Sequence, residues 1–457
     1  MQGPMNFLKS QDGSVAVYAA LFTAVAVGAG ALALDYGRLS LLRSEMQNSA
    51  DAAALSAARF LDGSDGAQNR ARDVATNSLT SFSSVSNENL TVKSVNFYAS
   101  LNPDVPATTD KEAKFIQVRL DGSAANLMFA PVVSMITGKG TTQSQELVAE
   151  ATAGPNPFLC HAPPLMICDF LENSPPIDLR SSDNFGRMVV LKEPQGGGNW
   201  APGNFGLLSL PDGSSGANPI EAALAAVTPE ECYNITIETA QGSKTNKIVD
   251  AINSRFDLPG NPWPYPAPNV INYPRDDVIV ADENLKLGDG KWDINTYWNE
   301  KHSGSLPADL QPHNGKQATR LQVYLYELGE PFWRNGNITI YPIPTSDSLP
   351  SGYKEVKNTT SKVPRDLSNK HDNNYDGEPS DTVAANGAAR RFVQVAQLQC
   401  IADNIHGNGH YPNSGNYIEV FLTEFVPDPP NAAIYGEIVR GLTPSNSAEY
   451  HANVKLY

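Results

Sequence analysis

The sequence predicts an α+β protein: an N-terminal transmembrane helix continuing into an amphipathic helix, a small α+β module, and a larger β-rich α+β domain. Three observations carry this. Val15–Leu34 runs twenty residues without a charge, and twenty helical residues span about 30 Å, the thickness of a bilayer's hydrocarbon core. Directly after it, Leu39, Leu42, Met46, Ala50, Ala53, Ala57 and Phe60 recur at spacings of three and four, which is one face of a helix. From Leu90 onward the period changes to two, and short alternating stretches separated by turn residues fill most of the chain.

Taken in order, residues 1–12 form a short polar tail, expected on the cytoplasmic side. Residues 13–61 read as one helix from about Ser14 to Leu61, with residues 15–34 in lipid and the remainder outside it. Its distal part, SADAAALSAARFL, has high helix propensity and stops at Asp62-Gly63. A cleaved secretory signal would need a shorter apolar core, so length favours a retained anchor. Ala20, Ala24 and Gly28 recur every four residues, a face on which a second helix could approach closely; a helix-mediated oligomer is therefore an expectation. Charges on either side of the span are too balanced for the positive-inside rule to orient it.

A second helix is expected over Ala67–Ser81, then strands over Leu90–Tyr98 and Lys114–Leu120. A short apolar helix around Leu127–Thr137 and a strand over Gln145–Ala153 complete an α-α-β-β-α-β module, residues 62–154. Gly-Pro-Asn-Pro at 154–157 marks its boundary. In residues 155–457 strands are expected over Arg187–Leu191, Phe205–Leu210, Tyr233–Glu238, Arg320–Glu327, Asn337–Tyr341, Arg391–Ile401, Tyr417–Phe425 and Ala433–Arg440. Helices are expected over Pro219–Val227 and Ser243–Phe256, the latter capped by Ser243.

A net charge of −16 argues against a nucleic-acid partner, which needs a basic surface, and against a polybasic membrane-surface contact. The four cysteines, Cys160, Cys168, Cys232 and Cys400, all follow the anchor and form no C-x-x-C pair. On the oxidising side of a membrane four cysteines imply two disulfides with three possible pairings. The expected arrangement is a local Cys160–Cys168 loop and a long-range Cys232–Cys400 staple.

Chemical motifs are sparse. Asp372, Asn374 and Asp376 alternate before Gly377, as in the first half of a calcium loop. The position that would hold the bidentate Glu is Val383, with Asp381 two residues short, so calcium through Asp372, Asn374, Asp376 and Asp381 competes with a solvated acidic turn. His406 and His410 have a metal-like spacing without a helix to present it, and read as a surface loop. Gly196–Gly198 lacks the following Lys-Ser/Thr of a phosphate-binding loop. No nucleophile-elbow or zincin motif occurs, and no catalytic residue is assigned.

The N-terminal residues carry a resemblance. Gly13, the apolar span, Asp35-Tyr36-Gly37-Arg38 and Ala50-Asp51-Ala52-Ala53-Ala54-Leu55 together resemble the opening of TadE/TadG-type proteins of the Tad (tight adherence) Flp-pilus system. FIQVRLDGSAANLMFAPVVSMITGKGTTQSQELVAEATA is similar to that family's strand, short helix and closing strand. Pro163–Cys168, Gly198–Leu208, Gly288–Asp293 and Arg390–Cys400 look like pieces of longer TadG-like members. The resemblance implies a single-pass inner-membrane protein with its bulk in the periplasm, acting with other pilus-assembly proteins and without enzymatic activity. Prepilin-type processing after Gly13 would want Glu at the fifth mature position, where Tyr18 stands, so a retained anchor is expected rather than a fibre subunit. The metal-adhesion motif of some members is matched only by Asp212-Gly213-Ser214-Ser215-Gly216, with Gly in place of the second Ser, which reads as a turn. Two other classes compete: a membrane-tethered periplasmic hydrolase, and a calcium-dependent adhesin or binding domain.

Overall fold

The computed structural model describes residues 12–457 apart from 62, 64–65, 78–90, 102, 111, 122–124, 127–143, 146, 194–199, 230–231, 234–235, 257–271, 283, 303, 313–314, 336–337, 341–351, 359–389, 430–431, 444–445 and 448. The expected helix at 127–137 lies outside the described residues. The chain divides into two units: Met1–Asn156 together with Ala452–Tyr457, and Pro157–His451. The N-terminal apolar helix followed by mixed helices and sheets makes the protein α+β, with a β-rich larger part.

In the first unit, α1 (Asp12–Ala58) is a single helix of 47 residues, and α2 (Ala67–Asn77) buries Ala67, Ala71 and Ala75. A sheet is built from β1 (Thr91–Leu101), β2 (Asp104–Pro106), β3 (Phe115–Asp121), β4 (Val148–Cys160) and the C-terminal strand Tyr450–Leu456. From one edge the order is C-terminal strand, β4, β3, β1, β2. Period-two alternation puts Ile116, Val118 and Leu120 on the buried face of β3, directly opposite Ala153, Ala151 and Ala149 of β4. Small residues on β4 and on the helices leave room for the larger ones on β3, and each large side chain withdrawn from water contributes roughly 1.5–3 kcal/mol. α1 stops at Ala58, earlier than expected, so Phe60 turns partly out to solvent while Leu61 enters the core.

The second unit is organised on a five-stranded mixed sheet. In chain order its elements are β5 (Met166–Cys168), β6 (Met188–Lys192), α3 (Ala217–Ala225), β7 (Cys232–Tyr233), β8 (Thr236–Glu238), α4 (Thr245–Asn253), α5 (Asp277–Ala281), α6 (Ile294–His302), α7 (Arg320–Leu328), β9 (Phe332–Asn335), β10 (Ile338–Ile340), β11 (Lys354–Val356), β12 (Phe392–Leu398), β13 (His410–Pro412), β14 (Asn416–Leu422) and β15 (Ile434–Gly441). The main sheet has the order β5-β12-β14-β15-β6. Only β5–β12 is parallel; the other three pairings are antiparallel.

Both faces of this sheet are covered, and every residue of β6 and β14 is buried. On one face Val189, Leu191, Ile418 and Val420 pack with Ile220 and Leu224 of α3 and Ile248 and Ile252 of α4. On the other, Phe421 and Val439 meet Trp292, Tyr297, Trp298 and Tyr324 of the α6–α7 region. Strands buried on both sides lose polar alternation, which is why they read as nearly continuous apolar runs.

The expected strand at Arg320–Glu327 is a helix. Alternation in LQVYLYEL mimics a strand, but α7 is buried all round, so no helical stripe is visible. Thr319 Oγ1 accepts the Gln322 N–H while the Gln322 side chain accepts the Thr319 N–H, a reciprocal cap that fixes the start of the helix. Phe205–Leu210 forms no strand; Leu207 and Leu208 make isolated bridges to Leu165 and Thr239. The cap position of α4 is held by Lys244, not Ser243 as expected, with φ of 45° and no capping bond from the Lys244 side chain.

Candidate membrane anchor and its supporting module

α1 changes environment along its length. Val15, Val17, Leu21, Phe22, Val25 and Leu32 are each more than half exposed, so an apolar surface lies open around the first part of the helix. A contiguous surface of that kind marks a membrane or protein contact. Among the described residues this is the one helix long and apolar enough to cross a membrane. Its polar groups fit that role. Thr23 Oγ1 donates to the Ala19 carbonyl at 2.7 Å, which satisfies the hydroxyl inside the helix, as hydrocarbon requires. Tyr18 and Tyr36 are 73% and 75% exposed. Eighteen residues separate them, about 27 Å along the axis, which suits two aromatic anchors at opposite bilayer interfaces.

From Ala31 onward the helix acquires an inside. Ala31 and Asp35 are buried among exposed neighbours, and Leu42, Met46, Ala50, Ala53, Ala54, Ala57 and Ala58 follow on the buried side. These pack with Ala71 and Ala75 of α2, Phe97 of β1, and the β3–β4 core. Alanine recurs because helix and sheet approach too closely for larger groups. Gln47 Nε2 ties the helix to the sheet, donating to the Glu150 carbonyl at 2.9 Å. One continuous helix thus presents a lipid-compatible surface at one end and is part of a folded core at the other.

The base of α2 is held from a distance. Asp110 accepts the Gly66 N–H at 2.8 Å and the Gln68 N–H at 3.0 Å. These two backbone bonds hold its carboxyl below the usual range. Asp110 therefore supplies the N-terminal cap that the local sequence at Gly66 lacks.

The cysteine pairing differs from expectation. The disulfides are Cys160–Cys232 and Cys168–Cys400. Strand pairing decides this: β4 and β7 place Cys160 directly opposite Cys232, and parallel β5 and β12 align Cys168 with Leu398, two residues before Cys400. The candidate calcium ligands Asp372, Asn374, Asp376 and Asp381 lie outside the described residues, as does Gly196–Gly198. Among the described residues no group of three or more His, Cys, Asp or Glu side chains could hold a metal ion. His406 bonds the Asn404 carbonyl, and His410 lies 3.9 Å from Glu238. Asp212 accepts the Ser214 N–H and hydroxyl, the turn that the motif suggested.

Sequence reasoning missed two buried polar clusters in the second unit. Arg320 bridges Asp276 and Glu437, all three side chains sealed from solvent. Glu327 accepts the Tyr273 and Tyr297 hydroxyls at 2.6 and 2.7 Å and bonds His302 Nε2 at 3.0 Å. Burial first, then the Glu327 charge, pushes both phenols well above their ordinary range. Their members come from distant segments, and no local spacing announces them. Their geometry is that of groups locking α6, α7 and the sheet together.

An exposed apolar helix fused to a compact α+β module is the arrangement of a membrane-anchored protein, with α1 the one candidate span among the described residues. Residues 13–59 match the Tad family model, Flp pilus-assembly TadE/G-like, so the matched residues coincide with α1 to within one residue at each end. No curated protein and no solved structure matches the chain.

Proposed function

We propose that this chain is a non-enzymatic component of Tad/Flp pilus assembly or anchoring, retained in the inner membrane by α1 with its bulk in the periplasm. The observation that carries the reading is the coincidence of the Tad match with α1, whose first half is exposed and apolar and whose second half is built into a folded core. Two disulfides beyond the anchor suit an oxidising compartment. The partners are other pilus-assembly proteins. Deletion of the gene should abolish surface pili, and the full chain supplied in trans should restore them from the membrane fraction. Normal piliation in the deletion strain, or recovery of the protein with its bulk in the cytoplasm by protease accessibility, overturns the reading.

A further inference from the structure

A groove of about 660 Å³ opens in the second unit between the Asp169–Asn173 turn, Val278 with the Asn284–Asp289 stretch, and the Cys400–Ile401 turn. Its size is that of a binding pocket. Among the described residues of this unit five large aliphatic side chains are exposed. Leu285 and Ile401 line the groove, and Leu171 lies between two residues that do.

The walls are held in place. The Cys168–Cys400 disulfide joins two of them. Glu172 accepts the Ile401 and Ala402 N–H groups at 3.0 and 2.8 Å, so Ile401, 73% exposed, sits on a fixed turn. Phe170 packs edge-on against Trp200 at 5.8 Å. Pro163–Cys168, Gly198–Leu208, Gly288–Asp293 and Arg390–Cys400 each contribute at least one residue to the lining.

The charges are lopsided. Both basic side chains of the lining are engaged: Lys286 pairs with Glu193 at 2.7 Å, and Arg187 donates to the Gly288 carbonyl and Asn184. At the Ile401 end the lining acid is Glu172, with Asp403 two residues beyond Ile401 in the chain, and among the described residues no cation forms an ion pair with either. Burial, then the Glu172 charge, raises the Asp403 carboxyl.

We propose that the groove docks a segment of a partner protein that sets aliphatic side chains against Leu171, Leu285 and Ile401 and a Lys or Arg beside Glu172 and Asp403. The aliphatic contacts supply affinity through buried area, and the cation supplies register. The inference concerns the second unit alone and does not depend on the pilus-assembly reading.

The test uses the full chain in phosphatidylcholine nanodiscs, with empty nanodiscs as reference, and short labelled peptides of alternating Lys-Leu, Glu-Leu and Lys-Ser. Saturable one-to-one binding of Lys-Leu is expected, with Glu-Leu and Lys-Ser much weaker. Ile401→Asp and Leu285→Asp should each weaken it about tenfold, and Asp403→Asn roughly threefold. Both apolar positions are exposed, and far-UV circular dichroism identical to wild type confirms that each variant folds. Absence of Lys-Leu binding, equal binding of Lys-Ser or Glu-Leu, or unchanged affinity in both aspartate variants overturns the proposal. A concentration-dependent dimer in sedimentation that Ile401→Asp abolishes also overturns it, because the occupant is then a second copy of this chain.

Discussion

Arg320 and Asp276 meet at 2.6 Å with neither side chain open to solvent. The same guanidinium reaches Glu437 at 3.3 Å, and Asp276 also accepts the Gly290 N–H at 2.7 Å. One cation thus serves two carboxylates inside the protein. Gly288 is required beside them, since a Cβ there would lie 1.9 Å from Asp276 Oδ2.

Arg320→Met should therefore destabilise the second unit by about 3–5 kcal/mol, the cost of leaving buried charge uncompensated. Burial holds Glu437 above the usual carboxylate range even with Arg320 present. A raised folded pKa gives stability that is present below the unfolded value and lost as pH rises through the folded one. The deficit of the variant should accordingly be larger at pH 7 than at pH 4. Urea unfolding followed by tryptophan fluorescence at both pH values checks this.

Ala57 has no exposed surface and sits where α1 packs into the core of its unit. Ala57→Leu adds methylenes with no space to take them, and overpacking costs about 1–3 kcal/mol. A lower thermal midpoint for the first unit is expected, read by hydrogen exchange at β3 and β4. Leu32→Ala, on the exposed lipid-compatible part of the helix, should leave that midpoint unchanged.

Asp110 gives a pH signature of opposite sign. Its folded pKa is depressed by the Gln68 and Gly66 N–H bonds, so its contribution is present above the unfolded value near 3.9 and lost as pH falls through the folded value. Asp110→Asn should loosen α2 at pH 7 and make little difference once the pH has fallen through the lowered folded value of Asp110. Exchange rates of α2 amides across that range decide it.

The two disulfides should differ in weight. Cys168–Cys400 closes 232 residues and Cys160–Cys232 closes 72. In the chain-entropy account the longer loop contributes about 1 kcal/mol more. Removing Cys168 and Cys400 together should lower the unfolding midpoint further than removing Cys160 and Cys232. Non-reducing peptide mapping establishes the pairs beforehand.

What was legible in the sequence follows the range of the interactions. α1 is written in local spacing: the uncharged span fits lipid, and Leu42, Met46, Ala50, Ala53 and Ala57 all face the core as the stripe implies. α7 was obscured because eight of its nine residues are buried, so apolar residues occur on every side and an accidental alternation dominates. The Thr319-x-x-Gln322 cap was the local signal that outweighed it. Cysteine pairing depends on which strands are neighbours, and β7 meeting β4 is set by contacts far along the chain. The Arg320–Asp276–Glu437 cluster is of the same kind.

Tyr457 donates its N–H to the Thr152 carbonyl at 2.9 Å and sets its ring edge-on to Phe115 at 5.0 Å, and Val454 packs on the same core. Ribosomes make residues 452–457 only after all of Pro157–His451. The module that carries the anchor must therefore wait, one sheet edge open, until the whole second unit has been synthesised. Interrupted chains would hold a membrane helix with an unfinished sheet beside it, an exposed edge of the kind that aggregates and that quality-control proteases can recognise. Synthesis of residues 452–457 thus reports back to the unit that contains α1.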